Sequence, residues 1–199
     1  EWVRRAAMTQ LGNGLLSARH DEDALSVMKA ELSMSRRLGV AESHMLIVQS
    51  NLAITYRALG LDEQSLSMRQ EVYSGFLKLK GLESLATLGA ANNYAISLLQ
   101  LNRFEEPKSL MRKMIPVAQR VLGEGDRITL IMRRTYGESL YNDPTATLDD
   151  LREAVTTLED VAPTARRVLG CAHPIAEVIE GTLRNARAGL RARETPSSR

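Results

Sequence analysis

The sequence predicts an all-α fold, a solenoid of antiparallel helix hairpins, and three observations lead there. A Leu–Gly or Lys–Gly pair recurs with its glycine at positions 39, 81, 123 and 170, spaced 42, 42 and 47 residues apart, the mark of a repeat architecture. Between those glycines the apolar residues fall into two stretches of helical periodicity. Composition agrees: aromatics make up only 4% of the chain while Leu, Ala, Arg and Glu dominate, a mixture that favours helices over sheets.

Other anchors keep the same register. Thr87-Leu88 and Thr129-Leu130 follow their glycines at equal distance, with Met45-Leu46 at the matching place in the earlier unit. Asn51-Leu52-Ala53, Asn93-Tyr94-Ala95 and Thr135-Tyr136-Gly137 succeed one another at intervals of 42. Pro116 and Pro163 open the near-identical strings Pro-Val-Ala-Gln-Arg-Val-Leu-Gly and Pro-Thr-Ala-Arg-Arg-Val-Leu-Gly.

Each unit reads as two helices. Val48, Leu52, Tyr56 and Leu59 lie on one helical face, and Gly60 ends the segment as a C-terminal cap. Ser65, Met68, Val72, Phe76 and Leu79 form the next stripe, closed by Gly81. Carrying this pattern along the chain predicts helices at about 3–18, 22–37, 43–59, 62–79, 85–101, 104–121, 127–141, 147–168 and 174–193. The expected organisation is one solenoid over 1–193, with units at about 1–39, 40–81, 82–123 and 124–170, a capping helix at 171–193 and a disordered polar tail at 194–199. Pro116 and Pro163 fall inside second helices, where each removes a backbone donor; their shared repeat position suggests a tolerated bend.

Hairpins of this length cannot bury both apolar faces alone, so neighbours must stack. Gly12, Ala53, Ala95 and Gly137 occupy one equivalent position of the first helices, where only a small side chain lets two backbones approach. Leu11, Leu52 and Tyr94 stand one residue earlier, and Leu15, Tyr56 and Leu98 stand one turn later.

At these residues the pattern becomes specific. Leu11-Gly12-Asn13 followed by Asp21-Glu22-Asp23-Ala24-Leu25 resembles a tetratricopeptide repeat. Asn51-Leu52-Ala53-x-x-Tyr56-x-x-x-Gly60, Asn93-Tyr94-Ala95, Arg103-Phe104-Glu105-Glu106 and Val168-Leu169-Gly170-Cys171-Ala172-His173-Pro174 resemble the longer repeats of kinesin light chains. The similarity spans roughly residues 5–193 and implies a right-handed α-solenoid of four tetratricopeptide-like repeats plus a C-terminal capping helix. A period near 42 also suits HEAT or armadillo units; the Leu-Gly/Ala-x-x-Tyr/Leu pattern and the acidic pair opening the second helix favour the tetratricopeptide class. Ser65 and Pro107 depart from the family's usual Ala, and the fourth unit carries extra residues around Tyr141–Thr147. No coiled-coil segment of the kind that joins a light chain to its motor is recognisable, so a motor role is not implied.

The resemblance implies a protein–protein interaction scaffold or adaptor that takes a peptide segment of a partner in a concave groove lined by the first helices. It places Asn51 and Asn93 on that groove, with Thr135 and Gln10 at the equivalent positions. A carboxamide offers both donor and acceptor, so it can bond a bound backbone without reading its sequence. Asn13, Ser50, Ile54, Arg57, Asn92, Ile96, Leu99, Arg134, Glu138 and Tyr141 are expected on the same face. Arg57 and Arg134 are candidates for acidic side chains of the ligand, and Ile54, Ile96 and Leu99 for apolar contact. The opposing interpretation is that Asn51 and Asn93 bond within or between hairpins. The alternatives for the whole chain are a structural subunit packed into a larger assembly, or a regulatory repeat domain of a larger protein.

Catalytic chemistry finds no foothold. His20, His44 and His173 fall in turns or at helix starts without partners at metal-ligand spacing. Cys171 and His173 are too close in a turn to indicate an aligned nucleophile and base. Gly12-Asn13-Gly14 and Gly123-Glu124-Gly125 lack the strand context and the Lys-Ser/Thr ending of a phosphate loop, and no Gly-x-Ser-x-Gly elbow occurs. No cofactor, no metal and no enzymatic activity are expected. Arg184, Arg187, Arg191 and Arg193, with Arg166 and Arg167, form a basic run diluted by Glu177, Glu180 and Glu194. With a net charge of only +2, it suits a solvated capping face better than nucleic acid. No apolar stretch approaches the about 18 residues of a membrane span. One cysteine and no secretory leader suggest a cytoplasmic protein; a start at Glu1 is what a piece of a longer chain would show. The turn Asn142-Asp143-Pro144 lengthens the fourth unit's loop and is a further candidate for partner contact.

Overall fold

The computed structural model describes residues 2–195, and every regular element among them is α-helical. The helices are α1 (Trp2–Ser17), α2 (Asp21–Arg37), α3 (Glu42–Ala58), α4 (Asp62–Lys80), α5 (Leu85–Gln100), α6 (Glu105–Leu122), α7 (Arg127–Tyr141), α8 (Leu148–Leu169) and α9 (Pro174–Glu194). Each helix the periodicity predicts is present, with ends displaced by at most one residue. The polar tail starts later than expected, since Glu194 closes α9; its residues 196–199 lie outside the described residues.

Short turns make the hairpins. Gly39, Gly81, Gly123 and Gly170, which end the repeats, all take positive φ, and inside the hairpins Arg19, Gly60 and Asn102 do the same. Where Gly60 turns, Leu61 N–H donates back to the Tyr56 carbonyl, so a carbonyl left over at the helix end is satisfied as the chain reverses. α6 and α8 run unbroken through Pro116 and Pro163, which agrees with a tolerated position in a long helix.

The chain forms two compact units, residues 1–97 and 98–199. The first holds the hairpins α1–α2 and α3–α4 and most of α5. Met28 and Leu32 of α2 meet Val48 and Leu52 of α3 in one apolar cluster, flanked by Leu16, Leu25, Tyr56 and Met68. A second cluster joins Leu46 of α3, Val72 and Phe76 of α4 and Ala90 of α5. Neither hairpin could bury these side chains alone, and each such burial contributes about 1.5–3 kcal/mol. The second unit packs α6, α7, α8 and α9 around Met111, Met114, Leu130, Met132, Leu140, Leu158 and Ile179, all closed to solvent.

The small residues mark the tightest crossings. A Cβ at Gly12 would stand 2.9 Å from Met28 Cε, and one at Gly137 would stand 2.9 Å from Leu158 Cγ. Ala53 and Ala95, at the same register, are fully buried. Ser65, in place of the family's usual Ala, is accommodated because its buried hydroxyl donates to the Ala53 carbonyl at 2.8 Å. Gly75 is a close approach that periodicity does not reveal: a Cβ there would lie 2.5 Å from Leu46 Cδ2.

Candidate functional site

In the first unit the outward face of α3 runs through Ile47, Ser50, Asn51, Ile54 and Arg57, at the i, i+3, i+4, i+7 spacing of one helical stripe. Ile47 and Ile54 are 50% and 43% exposed, which is unusual for isoleucine on a helix whose opposite side is core. Asn51 is half-buried and Asn93 of α5 is exposed. Neither side-chain amide makes a hydrogen bond within the protein among the described residues; Asn51 contributes only its backbone carbonyl, to the Thr55 hydroxyl. Ile96 lies half-buried one turn beyond Asn93, and Asn13 of α1 is exposed. Asn92 differs. It is only 6% exposed and is engaged within the protein, because one residue along a helix is a rotation of about 100° that carries it from the open face to the core.

Arg57 is exposed and has no ion-pair partner among the described residues. Close to it lies an arginine that the sequence did not single out. Arg69 of α4 is 9% exposed and reaches α5, where its Nη1 donates to the Asn93 carbonyl at 2.9 Å. Its Nε is buried without a hydrogen-bond partner. Burial, with the neighbouring charge of Arg57 added, lowers its pKa to about 10, so it stays charged at neutral pH.

The corresponding face of the second unit is self-paired. Arg134 Nη2 of α7 donates to Glu138 Oε2 at 2.6 Å, and its Nε donates to Thr182 Oγ1 of α9 at 3.3 Å. Tyr141 is half-buried; burial and the charge of Glu138 raise its pKa, against hydrogen bonding with Asn185 and the charge of Arg134. A ligand carboxylate arriving at Arg134 would therefore have to displace Glu138. Beside this pair Ile131, Arg134, Pro174, Ile175 and Val178 line a mainly apolar hollow of about 210 Å³ between α7 and α9. Ile175 and Val178 carry no signal in the sequence, because α9 reads there as a cap rather than as a wall. Leu99, at the end of α5, is half-buried.

The remaining candidates are structural in their contacts. His173 Nδ1 accepts from the Ile175 N–H at 3.1 Å and caps α9, which takes that nitrogen away from any role as a base for exposed Cys171. His44 Nε2 lies 4.0 Å from Glu31 Oε1, an oxygen that accepts from the Thr9 hydroxyl at 2.6 Å. No group of three or more potential metal ligands gathers among the described residues. The basic run is largely occupied: Arg187 pairs with Glu159, Arg166 with Glu180, and Arg193 donates to the carbonyls of Ala146 and Pro144. No helix among the described residues is long and apolar enough to cross a membrane.

The loop at Asn142-Asp143-Pro144 turns its one acid inward. Asp143 is 7% exposed and accepts from Lys108 Nζ at 2.6 Å and from the Thr145 N–H and hydroxyl at 2.8 and 2.7 Å. Those bonds, the one from Lys108 foremost, hold its pKa down at about 2. On Lys108 burial acts to lower the pKa, and the bonds to Asp143 and Glu105 outweigh it and raise it. The extra residues of the fourth unit are thus anchored to α6 by a buried ion pair.

Comparison with known proteins fits this architecture. The family model of the tetratricopeptide repeat matches residues 87–127, the stretch from α5 to the start of α7. No curated protein matches the chain significantly. Among solved structures, a variant form of nearly identical TPR-like repeats, from a Podosopora anserina protein named for the kinesin light chain, superposes well. That match has a TM-score of 0.80 at 17% identity, covering 96% of this chain and 88% of that one. A second structure of such repeats gives 0.71 at 16% identity, covering 98% of each chain. BtubC (BKLC) from P. vanneervenii gives 0.66 at 18% identity, covering 100% of this chain and 87% of that one. At such identities the likeness shows the fold: tetratricopeptide-like repeats of the kinesin light chain kind, a class that generally serves as an interaction scaffold and is typically non-catalytic.

Proposed function

We propose that this chain, built of tetratricopeptide-like repeats, is a scaffold or adaptor that holds a peptide segment of a partner protein against the open face of its first helices. The observation that carries the proposal is the α3–α5 face. Two carboxamides at one repeat position, Asn51 and Asn93, have no hydrogen-bond partner for their side chains among the described residues, and exposed Ile47 and Ile54 flank the first of them. An amide with both functions free can take the N–H and C=O of an extended chain, and the isoleucines supply apolar contact for alternate side chains. Ser50, Arg57 and Ile96 complete that wall, and Asn13 presents the same type of group on α1.

On the second unit the hollow between α7 and α9, with Arg134, Glu138 and Tyr141 beside it, is the matching surface. A cytoplasmic location suits such an adaptor. Capture from an extract of the source cell, with wild type and the Asn51→Ala plus Asn93→Ala double variant side by side, tests the proposal. A partner held by wild type is expected to be lost from the double variant while helix content is unchanged. Equal capture by both would remove the α3–α5 face from the function.

A further inference from the structure

Each first helix after α1 buries a stripe of its surface under the second helix before it. In α3 the stripe is Val48, Leu52 and Thr55, all buried, at the i, i+4, i+7 spacing of one helical face. Val48 and Leu52 pack on Met28 and Leu32 of α2, and the Thr55 hydroxyl donates to Met28 Sδ at 2.9 Å. At the register of Leu52, Tyr136 in α7 and Leu183 in α9 are buried as well. α1 carries Ala7, Leu11 and Gly14 at this register, and all three are exposed. Leu11 is 54% exposed against 2% for Leu52, and a Cβ at Gly14 would meet no atom within 4 Å. Val3, one turn before Ala7, is exposed too. A lone exposed leucine is ordinary on a protein surface, but the far end shows how this chain finishes a face. In α9 the register of Gly12, Ala53, Ala95 and Gly137, where a second helix would press in, holds exposed Arg184. Arg187 and Arg166 nearby pair with Glu159 and Glu180. Polar groups on the last face are what keep a repeat array in solution. The stripe Val3, Ala7, Leu11 and Gly14 holds none.

We propose that this stripe of α1 is the seat of a further second helix, belonging to a repeat that stands before α1 in the same polypeptide. The contact would continue an interface the chain already makes: α2 covers α3 and α4 covers α5, each from just ahead in sequence. A second copy has no free second helix to offer, since Met28 of α2, Phe76 of α4, Met111 of α6 and Leu158 of α8 are already buried. The stripe also states what the occupant carries. Ala7 stands at the register of Ala90, which lies in one cluster with Val72 and Phe76 of α4. Ala7 and Gly14 take up less space than Val48 and Thr55, so close packing calls for bulkier side chains in the helix that covers them. The occupant is therefore an amphipathic helix with two large apolar residues four apart, one of them aromatic, as in α4. Neither Asn51 nor Asn93 belongs to this seat, so it and the peptide face can fail separately.

Two measurements test it. The first is an immunoblot of source-cell extract with an antibody raised against this chain. It is expected to show a polypeptide longer than the 22.0 kDa of these 199 residues; a band at that mass alone would overturn the preceding repeat. The second is a titration of the ¹⁵N-labelled 199-residue chain, followed by NMR. The probe is the acetylated, amidated peptide Asp62–Lys80, the helix that covers the matching stripe of α5. Saturable shifts of α1 amides are expected, with helix gained by the peptide in circular dichroism. Leu11→Glu in the chain and Phe76→Ala in the peptide should each weaken binding at least about tenfold, the loss expected for one large apolar contact. Leu11→Glu should leave the Tm of the free chain unchanged, because Leu11 meets water there. Absence of binding, equal binding by Leu11→Glu, or shifts confined to α3 and α5 would overturn the seat. Self-association of the free chain that Leu11→Glu abolishes would give the stripe to a second copy. Peptide binding together with only the short band would give it to a helix from another protein, and either result ends the proposal.

Discussion

In the first unit, residues 1–97, buried polar atoms without a hydrogen-bond partner include Arg5 Nε, Ser35 Oγ, His44 Nε2, Arg69 Nε, Thr87 Oγ1 and Ser97 Oγ; in the second, among the described residues, Thr129 Oγ1 stands alone. Helix starts follow that division in part. α2, α3 and α4 begin without a side-chain cap, as does α6 in the second unit, whereas Asp126 caps α7, Thr147 and Asp150 form a capping box on α8, and His173 caps α9. One repeat pattern therefore yields two kinds of surface. The second unit closes its polar groups on each other across helices, and the first leaves them open. These atoms are closed to solvent, so the contrast bears on stability: the polar groups buried in the second unit are matched, and fewer of those in the first are.

The largest test of that contrast is Lys108→Ala. It leaves Asp143 buried without its cation, an arrangement that costs about 3–5 kcal/mol, and the loss should appear in urea unfolding of the whole chain. The same pair sets an acid dependence. Asp143 titrates at about 2 in the folded chain against an ordinary 3.8. Its contribution is therefore present above about pH 4 and is lost as pH falls from there toward about 2. In Lys108→Ala that acid-dependent loss should shrink, since only the bonds from Thr145 remain to hold the carboxyl down. A variant as stable as wild type would mean that the second unit is not held by its ion pair.

Gly137→Leu comes next. The added side chain drives into Leu158 Cγ, a branch point that cannot swing aside, and overpacking of this sort costs about 3 kcal/mol. The equivalent Gly12→Ala meets Cε and Cγ of unbranched Met28 at 2.9 and 3.1 Å and gains helix propensity of about 1 kcal/mol, so it should be close to neutral. If both variants lost equally, the two units would be packed alike and the contrast would be confined to polar groups. Tyr136→Phe follows. It removes the hydroxyl that bonds Glu153 and accepts from Arg112 Nε at 2.6 Å, and should cost about 1–2 kcal/mol by thermal denaturation. Burial, with the Glu153 bond next, pushes that phenol up to about 12, so the network should survive alkaline titration well past the usual tyrosine range.

The helices and the crossings at Gly12 and Gly137 were legible because period, glycine stops and small residues are local signals. What stayed hidden depends on partners far along the chain. Arg69 lies one turn beyond Ser65 and one before Val72, on the buried stripe of α4, but its bond to the Asn93 carbonyl of α5 has no signal in the sequence. The sequence offers Arg134 to a ligand, and although its i,i+4 spacing from Glu138 was legible, its bond to Thr182 was not, because no spacing rule connects α7 to α9. Asn92 and Asn93 are identical neighbours in sequence, yet the first is buried and the second exposed. Asn142-Asp143-Pro144 has the composition of an exposed loop, and the deciding partner, Lys108, lies on another helix.

The smallest expected effect is the one that bears most on function. Asn51→Ala plus Asn93→Ala removes two amides that bond nothing among the described residues, so stability should change by no more than about 0.5 kcal/mol, less than for Tyr136→Phe. Arg134→Ala is the control from the second unit: it breaks a half-buried pair and should cost somewhat more, about 1 kcal/mol. The comparison breaks if the asparagine double variant unfolds more easily than Arg134→Ala in the same denaturation series, because its amides would then be structural through water or neighbours. If the order holds, an amide that adds nothing to stability and recurs at the same place in successive repeats is placed for something outside the chain.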